Sequence, residues 1–123
     1  MSKILVVEDD NFLANAYRVK LSKEGFEVRL ARDGDEAIAS LSDFMPDLII
    51  LDLVMPGKDG FTTLSELKAN NKWESIPVLI ASNLGQKEDI ERGLKLGATD
   101  FIVKSNLSMN DFINKINYLL KKN

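Results

Sequence analysis

Five short apolar runs recur along the chain: Ile4–Val7, Val28–Ala31, Leu48–Leu51, Val78–Ala81 and Phe101–Val103. Most are apolar at consecutive positions rather than alternating ones. That pattern suits strands buried on both faces, as in a parallel sheet covered by helices. Between the runs the spacing changes to a helical period. Ala37, Ile38, Leu41, Phe44 and Met45 form one stripe; Phe61, Leu64 and Leu67 form another. Phe112, Ile113, Ile116, Leu119 and Leu120 form the last and clearest. The segments around Leu13–Leu21 and Ile90–Leu94 carry weaker versions of the pattern. Start signals agree with it. Asp33 with Glu36, and Ser108 with Asp111, have the spacing of a capping box. Asp10 is placed to cap the first helix. Gly25 and Gly97 stand where the residue after a helix end is often a glycine, and Pro46 and Pro77 precede the third and fourth strands.

The alternation of strand and helix, five times over, predicts an α/β doubly wound parallel sheet. There is no internal repeat, low-complexity stretch or linker. The last helical pattern runs almost to Asn123, so the expectation is one domain over residues 1–123.

Composition narrows the chemistry. Lys and Arg number 16 against 19 Asp and Glu, a net charge of −3, which argues against a general binder of nucleic acid. Without cysteine or histidine there is no thiolate, no catalytic triad and no soft-metal site. Any metal must be held by oxygen, which favours Mg²⁺, Mn²⁺ or Ca²⁺. No apolar run approaches a membrane span, and Met1-Ser2-Lys3 leads into no signal-peptide pattern, so a cytoplasmic location is expected.

Ligands of such sheets bind beyond the carboxyl ends of the strands. Beyond the first strand lie Glu8, Asp9 and Asp10; the third ends at Asp52, the fourth at Ser82 and Asn83, the fifth at Lys104 and Ser105. Two carboxylates ~4 Å apart repel by roughly 4 kcal/mol at an effective dielectric of 20. Glu8, Asp9 and Asp52 together therefore need counter-charge. A divalent cation and Lys104 supply three positive charges against their three negative ones. Magnesium suits the arrangement, because it binds one or two carboxylates and leaves room for phosphate oxygens. Those parts support phosphoryl transfer to an aspartate, with Lys104 and Ser82 available to the phosphoryl oxygens.

Three segments carry a resemblance: Ile4-Leu5-Val6-Val7-Glu8-Asp9-Asp10; Leu48 to Leu51 running through Asp52-Leu53-Val54-Met55-Pro56-Gly57-Lys58-Asp59-Gly60; and Gly97-Ala98-Thr99-Asp100-Phe101-Ile102-Val103-Lys104. Together they resemble the receiver domain of two-component response regulators over essentially the whole chain. The resemblance implies a flavodoxin-like (βα)5 fold with strand order 2-1-3-4-5, the order for which the family's chemotaxis regulator is the standard example. It also implies roles. Asp52 matches the phosphoacceptor, Lys104 the active-site lysine and Ser82 the switch hydroxyl. Asp9 matches a direct metal ligand together with Asp52 and the Val54 carbonyl, and Glu8 a ligand acting through water. Phe101 matches the aromatic switch residue. Val54, Asn83 and Leu84 match positions that set the phosphorylation rates. Phosphoryl groups would come from a sensor histidine kinase or a phosphotransfer protein. Output would pass to a downstream protein through the fourth helix, fifth strand and fifth helix, about Gln86–Lys122. The protein would act alone, as a monomer or a weak phosphorylation-dependent dimer, without contacting nucleic acid or membrane.

Three positions depart from the family pattern. Ser82 replaces the commoner threonine, Asn83 a small residue, and Ser105 the proline that follows the lysine in a cis peptide. A cis bond before a non-proline residue costs ~2.5–4 kcal/mol, so a trans Lys104–Ser105 bond is expected. The main alternative is a phosphatase with an aspartyl nucleophile on a similar sheet. Such enzymes carry a second aspartate two residues on, where this chain has Val54. A flavin binder would need a Gly/Ser/Thr-rich phosphate loop where Glu8-Asp9-Asp10 stands. A degenerate scaffold is disfavoured by the intact Asp9, Asp52 and Lys104.

Overall fold

A computed structural model describes residues 2–121. Lys122, the far end of the expected output surface, lies outside them, as do Met1 and Asn123. The strands are β1 (Lys3–Val7), β2 (Glu27–Ala31), β3 (Leu48–Leu51), β4 (Val78–Ser82) and β5 (Asp100–Val103). The helices are α1 (Asn11–Lys23), α2 (Gly34–Ser40), α3 (Gly60–Lys68), α4 (Lys87–Lys95) and α5 (Met109–Lys121). All strand pairs are parallel, in the order β2-β1-β3-β4-β5. The doubly wound sheet is therefore as the sequence implies.

Consecutive apolar residues serve the two faces in turn. Leu5, Val7, Ile49, Leu51 and Ile80 pack with Phe61, Leu64 and Leu67 of α3. Ile4, Val6, Ile50 and Leu79 pack with Tyr17 and Leu21 of α1 and Phe112 and Ile116 of α5. Every residue of β1, β3 and β4 from Ile4 onward is buried. That double burial is why these strands show no apolar–polar alternation.

Helix ends follow their caps. Asp10 Oδ1 accepts from Leu13 N, Asp33 Oδ1 from Glu36 N and Ser108 Oγ from Asp111 N. Gly25 and Gly97 take φ of 95° and 112° after α1 and α4, a left-handed turn that side chains resist.

Two sequence readings need correction. The stripe Ala37–Met45 is not one helix, because α2 stops at Ser40. Ser40 and Ser42 donate their hydroxyls to the carbonyls of Ala37 and Ala39, and the chain tightens into three-residue bonds from Leu41 to Asp43. Phe44 still reaches the core, while Met45 is exposed. The fourth helix forms where the weaker Ile90–Leu94 pattern stands, with Ile90 half-buried, Leu94 exposed and Gly93 buried. Finally, Lys104 does not end the fifth strand but opens a 3₁₀ turn over Lys104–Asn106. The Lys104–Ser105 bond is trans, as are all peptides among the described residues.

Candidate functional site

Register decides which side chains meet. Val7 pairs with Leu51, so Glu8 and Asp52 each begin the first step beyond the ladder on adjacent central strands. Asp52 N donates to Val7 O and Glu8 N to Ala31 O, which fixes both backbones to the sheet. Ser82 pairs with Val103 across β4 and β5, so Lys104 leaves the sheet beside it. Four polar side chains are buried among the described residues, and three of them are Glu8, Asp52 and Ser82. A fold retains such groups only where they are paired or used.

Lys104 pairs them. Its Nζ donates to Glu8 Oε1 and lies 3.4 Å from Asp52 Oδ2. Asp52 Oδ1 accepts from Leu53 N at 2.8 Å and Val54 N at 3.5 Å. One Asp52 oxygen is thus held by backbone amides while the other lies against the ammonium. Glu8 Oε2 accepts from Asp10 N at 3.2 Å. Burial raises the Glu8 carboxyl above its usual range; the Lys104 ammonium opposes that shift and the Asp52 carboxylate adds to it. Ser82 Oγ accepts from Leu84 N at 3.3 Å, leaving its proton free to donate.

Asp9 is exposed, on the lip of a cleft of about 290 Å³ that Arg32, Asp33, Glu36 and Pro56 also line. Oxygens of Glu8, Asp9 and Asp52 all lie within 4.8 Å of one another. Opposed ligands of an octahedral magnesium ion stand ~4.2 Å apart, so a small inward movement or one bridging water fits this donor set to such an ion. All the donors are hard oxygens, and Lys104 leaves two of the three negative charges uncompensated.

Close packing at one glycine holds Asp52 in place. A Cβ on Gly60 would lie 2.3 Å from the Asp52 carbonyl oxygen and 2.6 Å from Leu53 Cα. The start of α3 therefore rests directly on the backbone carrying Asp52, and Gly60 N donates to Leu53 O.

The sequence profile described as the response regulator receiver domain matches residues 4–117. The chain belongs to the response regulator receiver family. It is 41% identical over 104 residues to the transcriptional regulatory protein CpxR of Klebsiella pneumoniae, covering 85% of this chain and 43% of that one. It is 33% identical over 122 residues to the DNA-binding dual master transcriptional regulator RpaA of Synechocystis, covering 99% and 50%. This receiver domain thus spans half or less of those two relatives. The receiver domain of the Francisella response regulator 1452 superposes with a TM-score of 0.90 at 33% identity, covering 99% of this chain and 98% of that one.

Around the receiver's acidic rim, Val54 and Leu84 are 60% and 37% exposed, and Asn83 is exposed between β4 and α4. Phe101 is half-buried, and a Cβ on Gly93 of α4 would stand 3.3 Å from its ring. Sequence reasoning missed Tyr17. It stacks on Phe112 with ring centroids 5.0 Å apart, and its phenol is pushed up to about 12 by burial, then by the charges of Glu8 and Asp52. Its place in an apolar helical stripe gave no sign of this. Sequence reasoning also missed Lys58, whose Nζ lies 2.8 Å from Asp35 Oδ1 and 2.6 Å from Glu66 Oε2. Those partners lie on two different helices, which one-dimensional spacing does not reveal.

Proposed function

We propose that this receiver is a phosphorylation-driven signalling switch in which Asp52 accepts a phosphoryl group from a histidine kinase or phosphotransfer protein. The reading rests on one observation above all: the buried Glu8 and Asp52, on adjacent central strands, share the Lys104 ammonium. In the transfer, the P–N bond to the donor imidazole breaks as a P–O bond forms to Asp52. The imidazole leaves as a neutral base once protonated by solvent. Asp52 Oδ2 is the freer oxygen and takes the phosphoryl group. Lys104, already beside it, pairs with the oxygens that arrive. Ser82, turning from the Leu84 amide, donates to another. When bound, magnesium or manganese on Asp9, Asp52, the Val54 carbonyl and, through water, Glu8 would neutralise charge on the transferring group.

The donor must cover this rim to reach Asp52 in line. Phe12, at the first turn of α1 and 84% exposed, offers it an apolar contact beside Asp9 and Asp10. On the output side, Gly93 brings α4 against both Ile80 and Phe101, which are partners across β4 and β5. A turn of Ser82, two residues beyond Ile80, is therefore felt by Phe101 and α4. The surface of α4, β5 and α5 carries that change to a downstream protein, or to a weak dimer through the same face. Its charges, such as Lys87 with Glu91 and Lys115 with Asp100, are mixed, which suits a protein partner rather than nucleic acid. No helix among the described residues is long and apolar enough to cross a membrane. A histidine-kinase donor would place the domain in the cytoplasm. The phosphatase alternative has no support at Val54, which cannot transfer a proton.

The test is intact-mass measurement after incubation with a phosphorylated histidine kinase and Mg²⁺. One phosphoryl group should be gained, and Asp52→Asn should gain none. Retention of the label in Asp52→Asn, or steady turnover of simple phosphoesters, would overturn the reading.

A further inference from the structure

The loop from Leu53 to Asp59 carries the Val54 peptide past Asp52 and then turns into α3. Leu53 and Met55 are buried, while the intervening Val54 is exposed and its amide faces Asp52 Oδ1. The loop is pinned at its ends, where Gly60 N donates to Leu53 O. Between those ends Gly57 takes a φ of 74°, so the loop makes a left-handed turn there. Lys58 follows that turn at once. Its ammonium bridges Asp35, in the first turn of α2, and Glu66, in the last turn of α3. Its stem also lies against α2: a Cβ on Gly34 would come within 3.1 Å of Lys58 Cδ and 2.1 Å of Thr63 Oγ1. So α2 and α3 pack closely, and Lys58 ties the loop to both at their junction.

We propose that Lys58 is a positioning residue for the metal: by fastening the loop to α2 and α3, it sets the Val54 peptide beside Asp52. This rests on the proposed Mg²⁺ site. It concerns a side chain that touches neither the phosphoryl group nor the ion. A second, purely electrostatic role would have the opposite sign. Removing a positive charge near a cation site strengthens binding of the cation. Removing a strut weakens it.

Calorimetric titration of the unphosphorylated protein with Mg²⁺ separates the two. Lys58→Met should bind Mg²⁺ roughly tenfold more weakly, as loss of outer-shell support does at other metal sites. Lys58→Arg, which keeps the bridge, should stay within about twofold of the native protein. Thermal unfolding without metal checks that the Met variant is folded, and Lys58→Gln takes its place if it is not. Unchanged or tighter binding by the uncharged variant would overturn the role of Lys58 alone. Native protein that binds no Mg²⁺, or binds it equally as Asp9→Asn, would overturn the metal site itself and this inference with it.

Discussion

At the scale of single residues the site is a small electrostatic problem solved by burial and one lysine. Glu8 and Asp52 are held out of water next to each other, and Lys104 supplies the only positive charge that the described structure places against both. Their field reaches Tyr17, one helix away, and adds to the effect of burial on its phenol. That gives a measurable consequence. The unfolded chain loses the Tyr17 proton near the ordinary 10.0, whereas the fold holds it up to about 12. Between those values the unfolded state binds fewer protons than the folded one, so stability falls as pH rises through the window; below it the contribution is fully present. Alkaline titration of the metal-free protein, followed by phenolate absorbance, should show one tyrosine ionising near the upper value. Tyr17→Phe should remove that step and flatten the alkaline loss of stability. If the phenolate absorbance lost in Tyr17→Phe instead belonged to the lower value, neither burial nor the acidic rim would be raising this phenol.

At the scale of elements, the strands were readable because both sheet faces are buried. Their apolar runs therefore differ in kind from the helical stripes, and α3 and α5 showed their buried positions by period alone. The end of α2 was not readable, since Ser40 and Ser42 divert the carbonyls through hydroxyl bonds that a hydrophobic pattern does not record. Nor was the seating of α4, whose close approach to the sheet at Gly93 depends on the missing side chain there. The acids and Lys104 were legible because each follows the end of an unmistakable strand. Gly60 belonged to a recognised motif, but its reason is three-dimensional: α3 begins in contact with the Asp52 carbonyl. Gly60→Ala should therefore push α3 off that backbone. A destabilisation of about 1–3 kcal/mol is expected from overpacking, with phosphorylation slowed more than stability alone explains. Denaturant unfolding together with the rate of phosphoryl gain checks both. A variant with native stability and native rate would show that the contact yields without moving Asp52.

At the scale of the whole molecule, what matters is how long the proposed phosphorylated state lasts, because the proposed surface of α4, β5 and α5 would hold a partner only for that time. An aspartyl phosphate is lost when water attacks in line, so a protein sets the rate by orienting that water or keeping it out. Val54 and Leu84, two residues beyond Asp52 and Ser82, are the positions that the family resemblance sets beside the attack path, and both are open to solvent. Water reaches them freely, but neither can hydrogen-bond it into line. Asn83, exposed beside Ser82, carries an amide that can hold a water. Exposure without alignment favours a slow spontaneous loss, with the signal ended by a phosphatase or by transfer back to the donor. Val54→Asn combined with Leu84→Glu puts an amide and a carboxylate on the attack path while leaving Asp9, Asp52, Ser82 and Lys104 untouched. Both native positions are exposed, so the double variant should keep the fold. Phosphoryl loss, followed by intact mass after the donor is removed at fixed Mg²⁺ and pH, should be faster in the double variant, by about a hundredfold or more if an aligned water is worth what general acid–base groups usually contribute. Loss from the native protein at an equal or greater rate would mean that the water is aligned by something else at the rim, and Asn83→Ala would then be the variant that slows it.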